Sequence, residues 1–91
     1  MKNISEISAT MTRIAELLRK GEKLEWAKRI EQYNSELQRD AAHTLSKIIT
    51  LFGGMGSIND LVLYFNGQPM IKENNELDML LSKLHNLCVT A

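Results

Sequence analysis

Cysteine, proline and long apolar runs are scarce in this chain. Cys88 is the only cysteine among 91 residues, which excludes an internal disulfide and every zinc site built from several cysteines. A lone thiol also fits a reducing compartment. The N-terminus lacks the apolar h-region of a signal peptide, and no later stretch approaches about 18 apolar residues. We therefore expect a cytoplasmic protein without a membrane segment.

Net charge of one sign is missing as well. The chain carries 11 Lys and Arg against 11 Asp and Glu, so its formal net charge at pH 7 is zero. Phosphate binding rewards a positive surface, and the charges of the first two predicted helices alternate in sign, which cancels that gain. No overall field steers the molecule toward nucleic acid or an anionic membrane. We expect neither as a direct partner.

The side-chain groupings typical of catalysis are absent too. His43 and His85 fall on different predicted helices, and neither has a second His or a carboxylate four residues away. His85 and Cys88 could meet on one helix, but that pair has no orienting third group and no oxyanion site. We predict that the protein is not an enzyme and binds no metal, cofactor or small-molecule substrate.

Amphipathic helical patterns are what the chain has in abundance. Apolar residues recur at three- and four-residue steps in four stretches. A chain of 91 residues is long enough for one core. This predicts a single all-α domain over residues 1–91, a compact antiparallel arrangement of four main helices. A Gly-rich turn and an irregular segment at 57–71, helical or hairpin, complete it and lie across one end or fill a groove.

Capping residues set the expected ends of the first and last helices. Ser5 or Ser8 can cap the first helix, and Gly21 can end it in the left-handed conformation. Asn74 or Asn75 would cap the last helix, with acidic residues in its first turn.

The third helix is expected from about Asp40 to Leu51 or Phe52, where a Gly-rich turn stops it. Three glycines within four positions let the backbone reach positive φ or approach another group closely. We predict that this turn has a structural role before any functional one. Its residues are Gly53, Gly54, Gly56 and Ser57.

Two structures remain open for the segment after this turn. Ser57 and Asp60 approximate a capping box, so a short helix beginning at Asn59 is one interpretation. The other is a strand over residues 61–65 that enters a tight hairpin at the following Asn-Gly pair. An isolated two-stranded ribbon is marginal in water, which favours the helix.

The same stretch carries a family resemblance. Residues 52–63 read FGGMGSINDLVL, and Trp26 precedes them on a predicted helix while Asn75-Glu76-Leu77 follows. In order and spacing this is similar to a family of small bacterial proteins with the motif FGGMGS-x-NDLVL, over most of residues 22–85. The chain also resembles helical immunity proteins of contact-dependent or polymorphic toxin systems. The resemblance implies that it neutralises a cognate toxin, with a nuclease (RNase) domain as the expected target.

The expected partner sets the chemistry of the contact surface. Toxic nucleases bind nucleic acid in cationic clefts, so a neutralising protein needs acidic and amide side chains on a rigid platform, supported by aromatic anchors. The start of the last helix and the segment before it have this character. We predict the partner contact at Asn59, Asp60, Tyr64, Glu73, Asn75, Glu76 and Asp78. The alternative function is a non-catalytic accessory or regulatory subunit that docks another protein through the Gly-rich segment.

Overall fold

The computed structural model describes residues 3–53 and 56–91. Within them it contains four α-helices, as the sequence predicted. Their bounds are Ile4–Lys20 (α1), Leu24–Leu37 (α2), Ala41–Ile49 (α3) and Ile71–Thr90 (α4). The all-α class is therefore confirmed.

Helix α1 is packed against both α2 and α4. Its stripe of apolar side chains at three- and four-residue steps, Ile7, Met11, Ile14 and Leu18, is fully buried. Burial of this stripe provides the hydrophobic free energy that holds three helices together.

Ion pairs between α1 and α4 show how these two helices are oriented. Arg13 pairs with Glu76 and, about two turns earlier on α1, Glu6 pairs with Lys83. Positions that rise along α1 thus meet positions that fall along α4, so the two helices run antiparallel.

Helix α1 begins at Ile4, before both of its predicted caps. Asn3 precedes it with φ of 63° and makes no side-chain cap. Ser5 and Ser8 lie inside the helix. The Ser8 hydroxyl donates instead to Asn34 Oδ1 of α2 at 2.7 Å, so the predicted serine cap is wrong.

The turn after α1 also differs from the prediction. Gly21 has an ordinary φ of −88°, and the left-handed residue is its neighbour Glu22, with φ of 62°. Glycine is needed at position 21 for space, since a Cβ there would lie 2.6 Å from Leu63 Cδ2 and 2.9 Å from Leu63 Cβ. The predicted left-handed role of Gly21 is wrong.

The start of α3 is as predicted, and its end is shorter. Asp40 Oδ1 accepts a hydrogen bond from the His43 N–H at 3.3 Å, which caps the helix. The helix ends at Ile49, but Leu51 and Phe52 each donate to the carbonyl three residues earlier. The chain therefore continues beyond Ile49 as a tighter turn with 3-10 hydrogen bonds, and Gly53 follows this turn with φ of 82°.

Both structures considered for 57–71 are present, one after the other. A 3-10 helix spans Ile58–Asp60, and strands Tyr64–Phe65 (β1) and Gln68–Pro69 (β2) follow it. The hairpin turn has positive φ at both central residues, Asn66 at 52° and Gly67 at 77°. That is the conformation for which an Asn-Gly pair is selected in two-residue hairpins.

Helix α4 begins at Ile71, earlier than the predicted asparagine caps. Met70 precedes it without a side-chain cap, and Glu73 rather than Glu76 lies in its first turn. The side chain of Asn74 is used elsewhere, because it makes hydrogen bonds to the backbone of Leu63. The predicted cap at Asn74 or Asn75 is wrong.

Candidate functional site

The acidic residues at the start of α4 are engaged by α1. Arg13 donates to both carboxylate oxygens of Glu76, at 2.7 and 2.9 Å, and Lys20 Nζ lies 3.0 Å from Glu73 Oε2. The hydrogen bonds from these cations lower the pKa of both carboxyl groups. Two of the predicted contact acids thus face neutralising charges within their own chain.

The other five predicted contact residues are all exposed. Asn75 and Asp78 lie on α4, Asn59 and Asp60 on the 3-10 helix, and Tyr64 in the hairpin. The Asp60 carboxylate turns back to the chain and accepts from the N–H groups of Gly56 and Ser57, at 2.9 and 3.2 Å. Asp60 therefore holds the Gly-rich turn, as a capping-box residue does.

An apolar surface lies at the hairpin. Tyr64, Phe65 and Ile71 expose 48%, 61% and 72% of their surface, and Val62 is exposed beside them. We call these four residues the hairpin patch. Tyr64 and Phe65 are consecutive residues of β1, so they present apolar surface on opposite faces of the ribbon. Several large apolar residues exposed in one short segment indicate an interaction site more strongly than scattered single ones do.

The hairpin patch is fixed to the helices at its base. Leu63 is fully buried, and its side chain lies against Gly21. Asn74 Oδ1 accepts from the Leu63 N–H at 2.7 Å, and Asn74 Nδ2 donates to the Leu63 carbonyl at 3.1 Å. The Met70 N–H donates to that same carbonyl at 2.9 Å. The short ribbon is therefore anchored to the helices. These contacts stabilise a hairpin that would be only marginally stable in isolation.

A concave surface lies beside the Gly-rich turn. This groove, of about 540 Å³, is bounded by the end of α3, the 3-10 helix and the C-terminal half of α4. Its apolar wall is formed by Ile49, Phe52 and Leu81, and the Phe52 ring meets the His85 ring edge-on with centroids 5.0 Å apart. Its polar side chains are Asn59, Ser82, His85 and Asn86.

The predicted site residues are therefore not brought into one surface. Asn59 lines the groove beside the C-terminal half of α4, whereas Tyr64 lies in the hairpin next to the start of that helix. Gly53 also borders the groove and is exposed. Gly54, the remaining residue of the predicted turn, lies outside the described residues.

Of the residues considered for catalysis, His43 is exposed on α3, whereas His85 is half-buried and Cys88 buried on α4. Burial raises the pKa of the Cys88 thiol to about 11, which disfavours its thiolate form. Within residues 3–53 and 56–91, no three His, Cys, Asp or Glu side chains gather in a way that could hold a metal ion.

The described helices were also compared with the length and apolarity that a membrane span requires. None of them meets both.

Sequence reasoning missed Phe65, Ile71 and the α4 wall of the groove. Residues 61–65 are all apolar, so the alternation of burial, with Leu63 inside and Val62 and Tyr64 outside, has no counterpart in their polarity. The Asn-Gly turn signal could have placed Phe65 at a hairpin tip. No local signal places Ser82 and Asn86 opposite Asn59, because that contact depends on tertiary packing.

Comparison with known proteins gives one match. A family model described as a domain of unknown function, DUF6966, matches residues 19–71. The matched stretch runs from the end of α1 through the Gly-rich turn and the hairpin to the first residue of α4. No curated protein and no solved structure matches the chain. Because the match covers more than half of the 91 residues, the chain belongs to the DUF6966 family.

Proposed function

We propose that this protein is a cytoplasmic immunity protein that binds a cognate toxin nuclease and neutralises it by covering its surface. The proposal joins the sequence resemblance to one structural observation, the exposed and anchored hairpin patch. It needs no chemistry from the protein itself. One copy of the chain occupies one toxin domain.

The hairpin patch has the composition of a binding hot spot. Tyr and other large apolar side chains carry most of the binding energy at protein interfaces, and they do so when they are rigid before binding. Here Tyr64 and Phe65 directly follow Leu63, which is fully buried and hydrogen-bonded through its backbone to Asn74. The backbone at the base of the hairpin is thus fixed before binding, which reduces the conformational entropy lost when a partner covers these side chains.

Charge makes a smaller contribution to this contact than the sequence suggested. The carboxylates of Glu73 and Glu76 already lie against Lys20 and Arg13. What the start of α4 offers a cationic partner is Asp78 and the amide of Asn75, both exposed. We therefore expect affinity to come mainly from slow dissociation of the apolar contact, with only weak steering by charge.

The immunity role requires a toxin domain encoded next to the gene for this chain, and the test uses that domain. Titration calorimetry should give a stoichiometry of one, and the chain should inhibit the nuclease activity of that domain. The variant Tyr64→Ser with Phe65→Ser should weaken binding more than about tenfold, since hot-spot residues contribute about 2 kcal/mol or more. The matched control is Met79→Ser with Val89→Ser, which removes two exposed apolar residues of α4 outside the patch.

The outcomes separate the parts of the proposal. Wild-type affinity in the hairpin variant, with a folded helical spectrum, would exclude the patch as the interface. No inhibition of the adjacent toxin by the wild-type chain would exclude the immunity role. The accessory-subunit role would then lead, because Gly53 borders a groove that could dock another protein.

A further inference from the structure

We propose that Asn66, at the tip of the hairpin, is a site of spontaneous deamidation and isoaspartate formation. Asn66 and Gly67 are the two central residues of the turn that joins β1 to β2, and both are exposed. The modification converts one amide into a carboxylate and, in its isoaspartate form, lengthens the backbone of the turn. It goes beyond the proposed function, since it needs no partner.

The reaction uses two atoms of the turn and water. The backbone nitrogen of Gly67 loses its proton to hydroxide and attacks Cγ of Asn66. The bond from Cγ to the amide nitrogen breaks, ammonia leaves with a proton from water, and a succinimide ring remains. Water then opens the ring. Cleavage between Cγ and the Gly67 nitrogen gives aspartate, whereas cleavage between the Asn66 carbonyl carbon and that nitrogen gives isoaspartate.

The turn can bring these two atoms together by rotating a single peptide. Asn66 has φ of 52° and Gly67 has φ of 77°, which are the signs of a type I′ turn. Ring closure requires the Gly67 nitrogen to eclipse Cβ of Asn66, which in an L residue occurs at ψ of about −120°, the value in type II′ turns. Rotation of the peptide between the two residues converts type I′ into type II′ and leaves φ of Asn66 positive. Both turn types join two-residue hairpins, so the strands can stay paired.

Glycine at position 67 permits this rotation and leaves the nitrogen accessible. In a type II′ turn φ of the second central residue is about −80°, and glycine adopts either sign of φ. Within residues 3–53 and 56–91, no backbone carbonyl accepts a hydrogen bond from the Gly67 N–H. The space around this residue is also open, since a Cβ there would meet nothing within 4 Å. Neither a hydrogen bond nor a neighbouring side chain therefore protects the attacking nitrogen.

Asn34 provides an internal control, because a small residue, Ser35, follows it as well. Asn34 lies within α2. Its Oδ1 accepts from the Ser8 hydroxyl at 2.7 Å, and its Nδ2 donates to Thr12 Oγ1 at 3.1 Å. A peptide inside an α-helix cannot rotate without breaking the hydrogen bonds of its own turn. The local structure thus protects Asn34 and leaves Asn66 reactive.

The two products differ in their effect on the hairpin. Aspartate keeps the length of the backbone, and an Asp-Gly pair also suits a type I′ turn. Isoaspartate inserts Cβ into the main chain, so the two-residue turn no longer fits the pairing of Phe65 with Gln68. Each strand has only two residues, and so short a ribbon has little stability of its own. We therefore expect isoaspartate to separate β1 from β2 and to free the backbone of Tyr64 and Phe65 in the hairpin patch.

The test incubates the folded full chain at physiological temperature, at neutral and at mildly alkaline pH. Peptide mass spectrometry locates each amide that is lost, and isoaspartyl methyltransferase labels the isoaspartate. We expect loss at Asn66, faster in proportion to hydroxide concentration, while Asn34 stays intact until urea unfolds the chain. The variant Asn66→Gln should show no loss at that position, because its longer side chain would have to close a larger ring. An intact Asn66, or equally fast loss at Asn34 in the folded chain, would overturn the proposal.

The deamidated forms, labelled with ¹⁵N and separated by ion exchange, test the effect on the hairpin. Asn66→Asp is the matched control, since it adds the same charge without the extra backbone atom. The amide shifts of Tyr64 and Phe65 should stay near those of the wild type in this variant and in the aspartate form. In the isoaspartate form they should move to random-coil values. Retention of the hairpin shifts in the isoaspartate form would contradict the proposed loss of strand pairing.

Discussion

The turn after α1 and the turn after α3 both contain a glycine, and the two glycines meet different requirements. Gly21 has φ of −88°, and a Cβ there would lie 2.6 Å from Leu63. Gly53 has φ of 82°, and a Cβ there would have nothing within 4 Å. In the first turn glycine provides space for another segment, and in the second it provides a backbone conformation. The same residue type is therefore required by packing in the turn after α1 and by the backbone φ in the turn after α3.

The largest effect should come from filling the space at the first turn. Gly21→Val should lower the free energy of unfolding by about 3 kcal/mol, because overpacking a well-filled site forces backbone and side chains to move. The closest atom after Leu63 Cδ2 is Leu63 Cβ at 2.9 Å, which a rotamer change cannot move away. For a chain of this size each 1 kcal/mol corresponds to about 4 to 8 °C in melting temperature, which calorimetry resolves easily.

A double-mutant cycle shows whether Leu63 is the cause. Gly21→Ala should cost less in a Leu63→Ala background, since the contacts with Leu63 Cδ2 at 2.6 Å and Cγ at 3.1 Å are then removed. The matched cycle of Gly53→Ala with Leu63→Ala should be additive, because a Cβ at position 53 would meet no atom within 4 Å and so would not touch Leu63. Additivity in both cycles would show that the first turn is not a packing turn.

Next in size is the hydrogen-bonded support of Leu63. Asn74→Ala should lower the free energy of unfolding by about 2 kcal/mol, because it leaves the Leu63 N–H without its partner in a half-buried place. Urea unfolding would measure the loss. Asn75→Ala is the control on the same helix, and a similar loss in both variants would mean that helix propensity, not the contact to Leu63, is responsible.

The sequence predicts most of the helices and few of the long-range contacts that join them to the other segments. Periodicity placed all four helices and the start of the third near Asp40, and local chemistry offered the Asn-Gly hairpin as one of two alternatives, because turns depend on neighbours in the chain. Asn74 has the same local signal as a cap, yet it bonds to Leu63, eleven residues earlier. Gly21 faces that same distant leucine. Long-range contacts decide between local alternatives, and one sequence does not contain them.

In the candidate site, too, local signals predict some residues, and long-range packing decides the rest. Tyr64 and Asn59 were predicted as contact residues and are exposed. The carboxylates of Glu73 and Glu76 were predicted to face the partner, but they form ion pairs within the chain. Glu73 and Glu76 meet Lys20 and Arg13 only because α4 runs antiparallel along α1. Periodicity gives the buried stripe of each helix and leaves open which charged flanks will face each other.

A smaller effect is expected from the backbone of the second turn. Gly53→Val should lower the free energy of unfolding by about 1 to 2 kcal/mol, which is the usual cost of a left-handed conformation for a residue with a Cβ. Gly53→Asn should recover part of that loss, since asparagine adopts this conformation more readily. Thermal unfolding of the two variants would measure it. Equal stability of wild type and Gly53→Val would show that position 53 needs no positive φ.

The smallest effect should be a gain at the first turn. Glu22 has φ of 62°, so the left-handed position there is occupied by a residue with a Cβ. Glu22→Gly should raise the free energy of unfolding by about 0.5 kcal/mol, because relief of the strained φ exceeds the greater entropy of glycine in the unfolded chain. Glu22→Ala removes the same carboxylate and keeps the Cβ, so it should give no gain. Equal gains in both variants would assign the effect to charge, and the turn after α1 would then contain no left-handed strain to relieve.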